Sequence, residues 1–388
     1  MYTLNENDTR ARLVKRVPKS QERVIVARQD NAFRIAVMPG DGIGREVMDP
    51  CLDLLERVER KVGGFALKYE TLEAGADHYR QTGTALPKET LARASEADAI
   101  LLGAMGLPDV RYPDGREVGP QLDLREEFQL FAGIRPVRTF PGLPVPLSDP
   151  RALALDFVLI RESTEGLFSS RGKTEFVDGT ARDFLEISRS ASERLFDFSF
   201  ELARRRSENG YAGKVTCVDK SNVLGSFAFF REIFFERAGG FPDVDADVCY
   251  VDAMALGLIR NPWVNDVVVT ENMFGDILSD AGAALMGGMG FAPSADIGAD
   301  RAVFQPCHGT APDIVGTGKA NPTAMYLSAA MMLDWLGQQN DMNAACDAGA
   351  VLEGAVERAF ATMTLKPCET GGTDGLKEIT RRVIDELG

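Results

Sequence analysis

From Phe33 onward the chain alternates short β-rich runs with stretches of helical periodicity, and that alternation restricts the fold more than any other feature. The runs FRIAVM (33–38), FALKYETL (65–72), DAILLGA (98–104), FVLIRES (157–163), KVTCVDK (214–220), DVCYVDA (247–253) and DVVVT (266–270) read as strands. Between them, Val47, Cys51, Leu54, Leu55 and Val58 share one helical face, with Pro50 as a kink point, and 190–208 and 227–238 are further helices. Strands regularly separated by helices imply an α/β protein with a largely parallel sheet. The proline-rich RTFPGLPVPLSDP (138–150) is a loop between elements, and 169–190 has the turn signals of a projecting hairpin arm. Beyond Arg301 follow a strand, the Gly/Pro-punctuated loop HGTAPDIVGTGKANP and three helices, the last with Thr373 as N-cap.

At 388 residues with 45% apolar and 26% charged residues, the chain is long enough for two domains and a buried core. A formal charge of −15 opposes the counterion release that drives nucleic-acid binding, so nucleic acid is not an expected partner. The six cysteines are scattered without C-x-x-C spacing, which suits reduced thiols and a cytoplasmic setting. No apolar run reaches the ~18 residues of a membrane helix. Residues 1–32 are polar and mildly basic and read as an N-terminal extension.

Several polar residues sit where burial would be costly without a purpose. In TENMFGDILSD, Asp276 and Asp280 stand four apart on one helix face, within what reads as a mostly buried helix. The ordinary explanation is one acid favoured by the helix dipole and one exposed to solvent. The alternative is a hard divalent cation such as Mg²⁺ or Mn²⁺, with Asp252, at the end of the strand DVCYVDA, as a third ligand. Arg125 and Arg135 bracket an apparently apolar helix in QLDLREEFQLFAGIRP, and Arg161 follows the apolar FVLI. Either they form internal salt bridges, or together they bind a substrate with two or more carboxylates. Lys220, in TCVDKSN, is a surface lysine beside Asp219 or, near a cation, a base. His308 is a satisfied loop histidine or a ligand-binding one. The turn PGDGIG does not fit G-x-G-x-x-G, so a Rossmann dinucleotide site is not expected.

The phrases MPGDGIGREV, LREEFQLFAGIRP, RESTEGLF, VDKSNVL, ENMFGDILSD and HGTAPDIVGTGKANP occur in an order that resembles the β-decarboxylating dehydrogenases acting on isopropylmalate, isocitrate, homoisocitrate and tartrate. That resemblance implies an isopropylmalate dehydrogenase-like two-domain α/β fold, not a Rossmann fold. Residues 33–130 and 287–388 would form the cofactor-binding domain, and 131–286 the dimerisation and metal/substrate domain, with an arm at about 169–188. It implies oxidation of a small di- or tricarboxylic hydroxy acid, hydride transfer to NAD and loss of CO₂. By the same resemblance Arg125, Arg135 and Arg161 bind substrate carboxylates, Lys220 is the catalytic base with Asp252 beside it, and Asp252, Asp276 and Asp280 hold Mg²⁺ or Mn²⁺. In the implied homodimer, Lys220 and Asp252 come from one subunit and Asp276 and Asp280 from the other. His308 would lie against the adenine, with Gly309, Thr310 and Ala311 following it, Asp313 on the ribose diol and Asn321 near the adenine. An acid at 313 repels a 2′-phosphate, which points to NAD over NADP.

Two positions depart from the resemblance. Phe168 stands where the relatives carry a tyrosine thought to supply the proton that replaces CO₂, and Gln121 gives a polar contact where isopropylmalate enzymes have an apolar floor. The expected activity is oxidative decarboxylation of a 3-substituted malate, with 3-isopropylmalate as the best single substrate and tartrate or malate next. A non-catalytic regulatory subunit is the competing reading, disfavoured by retention of Lys220 and the three aspartates.

Overall fold

The computed structural model describes residues 31–388, so the expected extension lies, except for its last two residues, outside the described residues. The chain opens with β1 (Ala32–Gly40), α1 (Ile43–Val62), β2 (Ala66–Thr71), α2 (Ala76–Thr82), α3 (Lys88–Glu96), β3 (Ala99–Ala104) and α4 (Pro120–Glu127). The middle runs through β4 (Ala132–Arg138), β5 (Asp156–Glu162), a hairpin of β6 (Glu175–Val177) and β7 (Thr180–Arg182), α5 (Arg189–Glu208), β8 (Lys214–Asp219), α6 (Gly225–Ala238), β9 (Asp245–Tyr250) and α7 (Val251–Arg260). It closes with β10 (Val267–Thr270), α8 (Asn272–Met286), β11 (Pro293–Ile297), β12 (Ala302–Pro306), α9 (Thr323–Gln339), α10 (Asn343–Ala361) and α11 (Leu376–Leu387).

Among the described residues, ten strands form one sheet in the order β2-β1-β3-β12-β11-β4-β5-β10-β8-β9. The flanking pairs are parallel, as the helix-bearing crossovers require, while β12–β11, β11–β4 and β4–β5 are antiparallel. The expected parallel sheet therefore has an antiparallel centre. Neither β4 nor β11 stood out in the sequence, because AGIRPVR and PSADI carry Gly, Pro and Asp, residues depleted in strands. The arm residues pair as an antiparallel hairpin, Val177 opposite Thr180.

Burial follows the helical periodicity. Val47, Cys51, Leu54, Leu55 and Val58 of α1 are fully buried, and the helix continues through Pro50 rather than ending there. α9 is buried on nearly all sides between the sheet and α10, which accounts for its continuous apolar text. Its neighbour α11 starts at Leu376 with Gly375 at the N-cap, so Thr373 does not cap it.

Candidate active site

The arginines converge although they lie on three elements. Arg125 belongs to α4, Arg135 to β4 and Arg161 to β5; the first two thus bracket a helix end and a strand rather than one apolar helix. All three are buried. Arg125 Nε donates to Asp296 Oδ2 at 3.1 Å, and Arg135 Nη2 donates to Asp296 Oδ1 at 3.2 Å. Arg135 Nη1 also donates to the carbonyls of Ile134 and Ala295. Burial acts to raise the Asp296 pKa, but the guanidiniums of Arg125 and Arg135 outweigh it and hold the carboxyl below its ordinary value. Sequence reasoning missed Asp296; its signal was an acid inside the otherwise apolar FAPSADIGA.

Arg161 donates from Nε to Asn272 Oδ1 at 2.9 Å and pairs with Asp276 through Nη1, leaving Nη2 buried without a protein partner. Burial, then the charge of Arg125, pushes its pKa down to about 10. The approach depends on Gly275, where an added Cβ would lie 2.7 Å from the Arg161 side chain. Glu271 starts α8 by accepting from the backbone N–H groups of Met273 and Phe274. Asp276 and Asp280 then stack one turn apart. Partial burial and the Asp276 charge raise the Asp280 pKa, a repulsion that a cation would relieve. The helix is less buried than its sequence suggests, since Ile277 is 62% exposed.

Lys220, just past β8, pairs with Asp252, which lies in the first turn of α7 and not at the end of a strand. Lys220 holds the Asp252 carboxyl below its ordinary value. Among the described residues of one chain, no three acids, histidines or cysteines are spaced to enclose a metal ion, so Asp252 does not join Asp276 and Asp280.

The remaining candidates frame this centre. Phe168 lies in a short 3₁₀ turn with its ring 5.0 Å from the Arg161 guanidinium carbon. Gln121 lies one turn before Arg125 on the same helix, and its Oε1 is buried without a protein partner. The loop from His308 docks over the β1–α1 turn: the Thr310 carbonyl accepts from Ile43 N at 3.0 Å, and its hydroxyl donates to the Gly106 carbonyl at 2.6 Å. Gly42 permits this contact, because any Cβ would sit 2.2 Å from that Thr310 carbonyl oxygen. Asp41, also missed by sequence reasoning, fixes the same corner by accepting from the N–H groups of Ala76, Asp77 and Gly106. Burial pushes the His308 imidazole below its ordinary pKa and leaves Nε2 without a protein partner. Ala311 adopts φ 39, a left-handed conformation costly for a side chain and common at functional loops. Gly309 and Asp313 are exposed, whereas Asn321 is buried, its amide bonded to Thr323 and Glu369.

Three buried guanidiniums are thus matched by two carboxylates, Asp296 and Asp276, on a mixed sheet flanked by helices. The chain belongs to the isocitrate/isopropylmalate dehydrogenase family, whose pattern it matches over residues 34–383, and it is a decarboxylating-type dehydrogenase. It is 39% identical over 360 residues to the 3-isopropylmalate/3-methylmalate dehydrogenase of Methanocaldococcus jannaschii, covering 91% of this chain and 99% of that protein. The homoisocitrate dehydrogenase of the same organism is 37% identical over 361 residues, covering 92% and 98%. The isocitrate dehydrogenase of Methylococcus capsulatus superposes with a TM-score of 0.81 at 31% identity, covering 92% of this chain and 99% of that one.

Proposed function

We propose that the protein catalyses NAD-dependent, divalent-metal-dependent oxidative decarboxylation of a 3-substituted malate, with 3-isopropylmalate as the best single substrate. The observation that carries this reading is the Arg125/Arg135/Arg161 cluster with the Nη2 of Arg161 unsatisfied, beside two stacked carboxylates. Such a cluster binds and orients the carboxylates of a hydroxy diacid. Lys220, as the neutral amine, takes the C2 hydroxyl proton as hydride leaves C2 for NAD, and Asp252 orients that amine by accepting its hydrogen bond.

Asp276 and Asp280 fit a hard cation because their mutual repulsion asks for one, and Asp252 of a second copy would complete the donor set. That cation would supply positive charge where oxygen charge develops in both oxidation and loss of CO₂. For NAD, the fit rests on the exposed Asp313 and on the loop around His308, Gly309, Thr310 and Ala311. Asn321 contributes by shaping that loop, its side chain being already engaged.

A homodimer is supported by the exposed face of α7, where Asp252, Leu256 and Ile259 fall at helical spacing, with Leu256 54% and Ile259 67% exposed. A second copy that buries this stripe also covers Asp252. The strand order supports the division into 33–130 with 287–388 and 131–286, because β2, β1, β3, β12 and β11 lie on one side of β4. A cytoplasmic setting is consistent with the absence of disulfides among the described residues, and no helix among them is long and apolar enough to cross a membrane.

Gln121 motivates a second substrate reading. Its orphaned buried oxygen would be satisfied by a hydrogen-bond donor on the substrate, as on tartrate, and not by an isopropyl group. A panel of isopropylmalate, tartrate, malate, isocitrate and homoisocitrate with NAD⁺ and Mn²⁺, following NADH and CO₂ together, tests both readings. Turnover of isopropylmalate alone is expected; NADH from none of the five would end the proposal. An NADP preference in kcat/KM would refute the cofactor assignment.

A further inference from the structure

Asp252 alone is a weak handle on Lys220, whose amine must be aimed at one atom. The Asp252 side chain is 67% exposed in the single chain, and in the proposed dimer the same carboxylate also serves a cation. One such pair does not fix a long, flexible side chain. The strand register supplies a second contact. β9 runs parallel to β8 with Tyr250 opposite Asp219, so the last side chain of β9 falls beside the residue that precedes Lys220. The Lys220 amine stands 6.0 Å from the centre of the Tyr250 ring, within reach of the attraction between a cation and an aromatic face.

A second cation reaches the same ring. Arg231, on α6, places its guanidinium carbon 5.0 Å from the ring centre. Its fork closes on Asp219, with Nε donating to Oδ2 at 2.7 Å and Nη2 to Oδ1 at 2.9 Å. Asp219 is fully buried, and its Oδ1 also accepts from the Ser221 N–H at 2.8 Å. The Lys220 carbonyl accepts from the N–H groups of Val223 and Leu224 at 3.0 and 3.1 Å, just ahead of α6. Lys220 is therefore gripped at both ends. Its backbone is pinned between a clamped aspartate and the start of α6, while its amine lies by a ring that the same guanidinium steadies. An internal salt bridge accounts for the Arg231–Asp219 pair, but not for the ring that Arg231 shares with Lys220.

We propose that Arg231 and Tyr250 are positioning residues for Lys220: Arg231 sets its backbone through Asp219 and its amine through the Tyr250 ring. The inference rests on Lys220 being the proton acceptor of the proposed reaction. With 3-isopropylmalate, NAD⁺ and Mn²⁺, Arg231→Ala should lower kcat about 100-fold while KM changes by less than about threefold, since a base moved off its target loses rate and not binding. Arg231→Lys should behave in the same way, because an ammonium cannot hold both Asp219 oxygens and the ring. Tyr250→Leu, at a partly exposed position where folding is not at stake, should lower kcat about tenfold, and Tyr250→Phe should restore most of that loss. A raised KM with kcat unchanged in Arg231→Ala, or wild-type kcat in Tyr250→Leu, would overturn the proposal. A readout without turnover separates it from the reaction it serves. Acylation of Lys220 by an amine-reactive reagent, followed by peptide mass spectrometry, should be faster in Arg231→Ala and Tyr250→Leu than in wild type. Equal labelling would overturn the proposal even in an active enzyme; faster labelling in a protein that oxidises none of the acids in the panel would support the positioning and refute the role of Lys220 as base.

Discussion

Asp296 illustrates what a single buried carboxylate does in this site. It accepts from Arg125, Arg135 and Gln305 while only 1% exposed, so neutralising it strands two buried cations. Asp296→Asn should cost about 3 kcal/mol of stability at neutral pH, measured by urea unfolding. Because its folded pKa is depressed, that contribution is present above the ordinary carboxylate value and lost as pH falls through the depressed one, so the two proteins should converge in acid. A constant difference across that range would place the stabilisation elsewhere. Phe168 raises a chemical question instead, since a ring 5.0 Å from Arg161 can pack on the guanidinium but cannot donate a proton. Phe168→Tyr should increase CO₂ released per NADH formed; an unchanged ratio would show that another acid already protonates the product. Arg161 and the Asp276/Asp280 pair were legible as residues because they broke an apolar pattern, whereas Phe168, Gln121, Asp313 and Asn321 stood out only through the family resemblance. Asp296 broke one too, but the arginines that make it intelligible arrive from α4 and β4, far away in sequence.

At the level of elements, the crossing of α8 over β5 sets the site. Gly275 allows it, and Gly275→Ala places a methyl 2.7 Å from Arg161, so the helix must shift and the Arg161–Asp276 pair loosen. The expected result is a fold that survives with destabilisation of about 1–3 kcal/mol and with weakened Mn²⁺ dependence of activity, read by thermal melts and metal titration. Unaltered metal affinity would show that the crossing does not tune the carboxylates. The parallel flanks of the sheet and most helices were legible from periodicity. The antiparallel strands β4 and β11 were not, for Gly133 and Pro136 in one and Pro293 in the other imitate loop composition, and it is tertiary pairing that makes them strands. Asp252 was misplaced by two residues for a related reason: β9 passes into α7 without a turn signal.

For the whole molecule, the decisive expectation is that neither chain alone completes the site. Lys220→Ala and Asp276→Asn should each abolish activity as pure proteins. Mixed and allowed to exchange subunits, they should recover about one quarter of wild-type activity, since half the dimers carry one intact site. No recovery despite demonstrated exchange would mean that each chain works by itself. The sheet adds a constraint of its own. Its two sides meet at only three paired positions of β11 and β4, Ala295 with Ile134, Asp296 with Gly133 and Ile297 with Ala132. The middle one is the carboxylate that clamps two arginines. Assembly of the arginine cluster and welding of the two sides are consequently one event, and a chain that has not closed this seam cannot form the proposed substrate site.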